Sequence, residues 1–216
     1  MRFVRPKGLA WLAAGALLAL AAPARADFSQ NVEIDVSGLS AGTYAIDAIL
    51  TSGGGGVVNT VTLSNVALTG TDTLISPPST LNGGAGGDLA TSGYVTTDPG
   101  VNPAAGFFNE FTQQFTHGTG TTIDLTITTT TNAGAPPDNF SLAVLDSTGA
   151  ALPTNDPSGA NNVVVFDIVS PFTAGSISYY SGPNIGASPK AVPEPASLAL
   201  LGLGAAGFFA RRRRAA

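Results

Sequence analysis

Between Asp27 and Val192 no apolar pattern keeps a helical period; apolar residues recur at every second position, in short runs separated by clusters of Gly, Pro, Asn and Ser. A period of two is the signature of a strand with one face in a core. "NVEIDVS" puts Val32, Ile34 and Val36 on one face, with Glu33 and Asp35 on the other. Further runs are "TYAIDAIL", "VVNTVTLSNVAL", "FFNEFTQQFTH", "TIDLTITTTT", "NFSLAVLD", "NVVVFDIVS" and "SISYYS". The breakers between them include Gly53 to Gly56, Pro77-Pro78, "NGGAGGD", Pro136-Pro137-Asp138 and "NDPSGANN". About eight strands at this spacing, with no helix between them, predict an all-β body over residues 27–182: an antiparallel β-sandwich of jelly-roll or immunoglobulin-like type. Thr128 to Thr131 reads as the exposed end of a strand, because β-branched Thr suits a pleated surface. Residues 183–192, "PNIGASPKAV", read as a flexible linker.

Charge is partitioned sharply along the 216 residues. All 14 acidic residues lie between Asp27 and Pro195, where Lys190 is the one basic residue of the nine, so that stretch carries a formal charge of −13 against −5 for the whole chain. Such a body cannot neutralise phosphates, which makes nucleic acid and anionic lipid poor partners for it. The absence of cysteine removes disulfides, thiolate nucleophiles and cysteine-ligated metal centres.

The two ends have different chemistry from the body. Residues 1–26 begin with Arg2, Arg5 and Lys7, continue through an apolar run from Gly8 to Ala22 and break at Pro23. Small Ala24 and Ala26 stand at −3 and −1 of a bond before Asp27, as a signal peptidase requires, so a signal peptide is expected there, handled by the Sec translocon. At the other end the uncharged stretch Pro195 to Ala210 has 16 residues. As a helix it spans ~24 Å, short of the ~30 Å hydrocarbon core, and Gly202, Gly204 and Gly207 soften it. Arg211, Arg212, Arg213 and Arg214 follow and belong on the cytoplasmic side, which leaves the acidic body outside. A short transmembrane helix with a stop signal behind it describes a tail held briefly in the inner membrane and then cut.

Pro193-Glu194-Pro195, the apolar segment and the arginine cluster occur in an order and spacing that resemble the PEP-CTERM sorting signal of Gram-negative bacteria that make exopolysaccharide. The resemblance covers residues 193–216 and implies processing by an exosortase, a membrane-embedded cysteine protease. "FFNEFTQQFTHG" and "DNFSLAVLDSTGAAL" are similar to the body of an uncharacterised group of such proteins, which implies a sandwich core and no assigned activity.

Chemistry in the body is sparse. The single histidine, His117, closes a strand run and reads as a strand-end polar residue; without cysteine it has no thiol partner. Two carboxylates suffice for glycoside hydrolysis, but Glu33, Glu110, Asp124 and Asp167 alternate with apolar neighbours and read as solvated outer-face residues. Asn155, Asp156 and Asn161, with Ser158 and Asn162, are a candidate oxygen set for Ca2+ and equally the composition of a tight turn. Tyr179 and Tyr180 are the candidate sugar contact, since on a strand one of two adjacent rings must face outward. No catalytic residue and no resident cofactor are expected. The expected function is that of an exported, non-enzymatic protein at the outer cell surface or in the extracellular matrix, tied to exopolysaccharide, biofilm or floc formation. A module binding extracellular polysaccharide and a secreted hydrolase are the alternatives.

Overall fold

The computed structural model describes residues 28–51, 59–92, 94–97, 108–130, 137–169 and 176–191. The expected signal peptide, Pro193 to Pro195 and the arginine cluster lie outside them, and among the described residues no helix is long and apolar enough to cross a membrane.

Among the described residues thirteen strands form two antiparallel sheets. They are β1 (Phe28–Asp35), β2 (Gly42–Thr51), β3 (Val61–Leu68), β4 (Thr73–Leu74), β5 (Thr80–Asn82), β6 (Gly86–Asp88), β7 (Tyr94–Thr97), β8 (Phe108–His117), β9 (Thr122–Thr129), β10 (Asp138–Leu145), β11 (Val164–Ile168), β12 (Ser178–Tyr179) and β13 (Gly186–Pro189). The first sheet runs β13-β1-β9-β3-β7-β6; the second runs β12-β11-β10-β2-β8-β4, with β5 also on β8. The long strands alternate sheets along the chain: β1, β3 and β9 in the first, β2, β8 and β10 in the second. Each of the eight expected runs overlaps one of the thirteen strands.

The period of two decides what meets in the middle. Ile34 of β1, Leu63 of β3 and Ile123, Leu125 and Ile127 of β9 face Ile46 and Leu50 of β2, Phe111 and Phe115 of β8 and Phe140 and Leu142 of β10 in one buried cluster. Phe140 and Phe166 add a ring contact, centroids 5.1 Å apart. Burying a side chain of this size contributes about 1.5–3 kcal/mol, so the alternation outweighs the modest strand propensities of the polar positions between.

Three expectations from the sequence are corrected by the structure. The supposed linker is structured in its second half: β13 pairs with β1 in the register Val32↔Pro189 to Asp35↔Gly186, and the Lys190 N–H donates to the Asn31 carbonyl at 2.9 Å. The physical reason is edge pairing: β1 would otherwise present a row of unmatched N–H and C=O groups. Gly- and Pro-containing sequence is admissible there because an edge strand needs only one bonded side. Likewise the glycine-rich "NGGAGGD" is not only a turn, since β5 and β6 end in it. Thr129 is fully buried rather than exposed.

The excursion from Asp72 to Leu89 is held down by polar side chains on the inward row of β8. Asn109 accepts from Gly84 N (2.6 Å); Gln113, fully buried, accepts from Leu89 N (2.8 Å) and donates to Ile75 O (3.1 Å) and Asp88 (2.6 Å). A buried amide with every hydrogen bond made costs little and fixes one arrangement.

Candidate functional site

On the outer face of the first sheet, Glu33 of β1 stands directly opposite Asp124 of β9. Like charges directly opposed across a sheet repel. Lys190 answers them: its Nζ lies 2.6 Å from Asp124 Oδ2 and 3.6 Å from Glu33 Oε2. The hydrogen bond to Asp124 is the main cause that holds the lysine above its ordinary pKa. Asp124 Oδ1, though buried, has no hydrogen-bond partner. Beside the clasp, β3 shifts register between Ser64 and Ala67, with Asn65 at φ 51°. The bulge opens a cleft of about 570 Å3 whose lining includes Asn31, Asn65, Asp124, Thr126 and Lys190. Two of the four carboxylates considered from the sequence are thus brought together, with the body's one cation at both. The other two serve elsewhere: Glu110 accepts from Asn82 (2.7 Å) and Asp167 from Asn139 (2.8 Å).

His117 does close β8, but it is buried, and its sequence neighbours gave no sign of its partner. Nδ1 lies 2.8 Å from Asp72 Oδ2 and Nε2 3.2 Å from the Leu39 carbonyl, while Asp72 Oδ1 accepts from Gly118 N (2.8 Å) and Gly120 N (3.0 Å). Burial alone would raise the Asp72 carboxyl; the bonds from Gly118, His117 and Gly120 outweigh it and hold the group below its ordinary value. Gly38-Leu39-Ser40-Ala41-Gly42 has the spacing of a nucleophile elbow, yet it joins two strands rather than a strand and a helix. The adjacent imidazole faces a backbone oxygen there. The pair ties three turns together.

The oxygens proposed for Ca2+ are engaged by the loop's own donors. Asp156, buried, accepts from Ser158 N and Oγ (2.9 and 2.8 Å) and from Asn162 N and Nδ2 (3.1 and 2.9 Å). Asn155 Oδ1 accepts from Ser181 N (3.0 Å), and Asn161 Oδ1 from Thr154 N (3.3 Å). A cation at these atoms has to displace those donors, and among the described residues no group of three or more His, Asp or Glu is gathered for a metal. Tyr179 packs against the core with its hydroxyl buried and unpartnered, and desolvation raises its pKa. Tyr180 is half-buried next to it.

Among the described residues one acid with a raised pKa lies outside all of these. Asp47 on β2 is buried on the outer face of the second sheet; desolvation, with Glu110 adding to it, raises its pKa against a 2.8 Å bond from Thr112 Oγ1.

A sandwich whose last paired residue is Lys190, continuing at once into a Pro-Glu-Pro, apolar and arginine-rich tail, belongs to the class of exported domains that carry a removable address. The address itself is identified: residues 191–214 match the PEP-CTERM protein-sorting motif. The chain is therefore an exported protein sorted to the cell surface by an exosortase. No curated protein and no solved structure matches it.

Proposed function

We propose that this protein is a non-enzymatic component of the outer cell surface or extracellular matrix, acting in exopolysaccharide retention, biofilm or floc formation. The observation that carries the reading is the junction: the sorting motif begins at residue 191, directly after the sheet residue Lys190, so the sandwich is cargo joined without a spacer to the address. The acidic body, whose carboxylates are largely spent on its own turns and on Lys190, suits a scaffold better than an acid–base pair poised for catalysis. The test is deletion of the gene in the native host, with complementation by the full chain or by a chain lacking residues 193–216. Matrix-bound polysaccharide and aggregate size should fall on deletion and recover only with the full chain. Unchanged aggregation on deletion, or turnover of host polysaccharide by the purified body that a single carboxylate substitution abolishes, would overturn the proposal.

A further inference from the structure

The sorting motif starts where the sheet stops. Four residues separate Lys190 from Pro195, the first of the apolar stretch, so a docked β13 keeps the folded body within about 17 Å of that stretch even with the chain fully extended. Pro189 and Lys190, the fourth and third residues before the Pro-Glu-Pro tripeptide, are held in the sheet. An enzyme that grips its substrate as an extended segment across the tripeptide cannot take up those residues while they remain paired with β1.

The same strand is built to leave. It is four residues long, its second half is exposed, and beyond β1 its backbone is held only at its start, by a bridge from Gly186 to Ser181 and by the Ala187 N–H on the Tyr180 carbonyl at 3.0 Å. Its outer fastening is Lys190 on Asp124 and Glu33, an exposed ion pair of the kind that contributes little. The unpartnered Asp124 Oδ1 is a buried acceptor whose desolvation is relieved as soon as the lysine and strand move off it. Short edge elements with few buried contacts occupy the low-stability end of a fold and open without global unfolding.

We propose that the exosortase takes its substrate with β13 undocked from β1, so that the Lys190 clasp sets the rate of sorting and β13 is part of the segment the enzyme occupies. Opening back to Gly186 lengthens the free segment before Pro193 from two residues to seven, about 24 Å of extended chain. When opening and closing are fast relative to cleavage, the rate follows the population of the open form. Lys190→Ala should then speed conversion of precursor to mature protein by about twofold to fivefold.

The decisive experiment locks the strand. Glu33 and Ser188 are directly opposed in the register, and the chain has no cysteine of its own, so Glu33→Cys with Ser188→Cys creates one defined cross-link in the full-length precursor. Pulse-labelled cells of the native host, analysed by intact mass, report loss of Arg211 to Arg214 over time. The expected result is an oxidised double variant that stays unprocessed, is released by a membrane-permeant reductant, and has both single variants processed at wild-type rate or faster. Wild-type processing of the cross-linked chain, a block that reduction does not lift, or unchanged or slower conversion of Lys190→Ala would each overturn the proposal.

Discussion

Replacing Asp72 with Ala removes one acceptor from three donors at once: His117 Nδ1 at 2.8 Å, Gly118 N at 2.8 Å and Gly120 N at 3.0 Å. The side chains of Asp72 and His117 are 0% and 3% exposed, so water does not replace the lost bonds without disturbing the packing. Stranding a buried donor costs about 1–3 kcal/mol, and here three donors lose one acceptor. Because the three donors share one site, their costs do not add in full, and a total of about 3–5 kcal/mol is expected. At roughly 2–4 °C per kcal/mol for a domain of this size, the melting temperature should fall by roughly 6–20 °C. Asp72→Asn is the discriminating control. Its carbonyl can stand in for Oδ1, which serves both glycine N–H groups, while its amide faces the imidazole, so about 1 kcal/mol is the expected loss. Urea unfolding of the mature body measures both. The carboxyl is depressed in the folded state, so its contribution is present above the ordinary carboxylate range, ~3.9, and is lost as pH falls through the folded value. The wild-type advantage over Asp72→Ala should therefore narrow below about pH 4. A loss under about 1 kcal/mol for Asp72→Ala, or equal losses for the Ala and Asn variants, would refute the reasoning.

Two further substitutions test opposite signs. Asp47 has a raised folded-state pKa, so its charged form is a liability that grows as pH rises through that value. Asp47→Asn keeps an acceptor for Thr112 and should stabilise the body by about 0.5–1 kcal/mol at neutral pH, the gain shrinking on acidification in urea titrations. Gly182→Ala should destabilise by about 2 kcal/mol or more, because a Cβ there runs into the Pro153 carbonyl, a backbone group without freedom to yield. Thermal unfolding with an unshifted midpoint would contradict this.

Most of the sandwich was legible because alternation specifies both the strand and the face it buries. Val32 and Ile34 of β1 and Ile123, Leu125 and Ile127 of β9 needed no knowledge of the partner sheet to be assigned inward. What escaped was set by pairing between distant residues. β13 has no alternating apolar run, and only the open edge of β1, some 155 residues earlier in the chain, makes a strand of it. Asp72 lies in a turn sequence of ordinary polarity, and its meeting with His117, 45 residues on, has no local signature. Glu33 and Asp124 read correctly as outer-face residues, but their opposition and the lysine at both depend on register. The sorting motif was readable in full because it is an address recognised as sequence.

The register also orients the molecule. β1 begins at Phe28, one residue after the expected signal peptidase bond, and its neighbour β13 runs the opposite way and ends beside Asn31, so the two described ends emerge at one pole. Asp35, Gly42, Leu68, His117, Thr122 and Leu145 lie at the other pole, since each begins or ends its strand where β1 ends or where β2 begins. The turns there are cross-braced: Val36 N to Thr121 O at 2.9 Å, Thr121 N and Thr122 N to Thr69 Oγ1 at 2.8 and 2.9 Å, and the Asp72–His117 pair beneath them. Asn155, whose loop holds Asp156, is joined to Ser181 beside Tyr180. A chain tethered through the first pole turns the braced one outward. Rigid turns lose little conformational entropy on contact with a partner, so the hydrogen bonds that make Asp72 costly to remove also keep the outward pole in one shape.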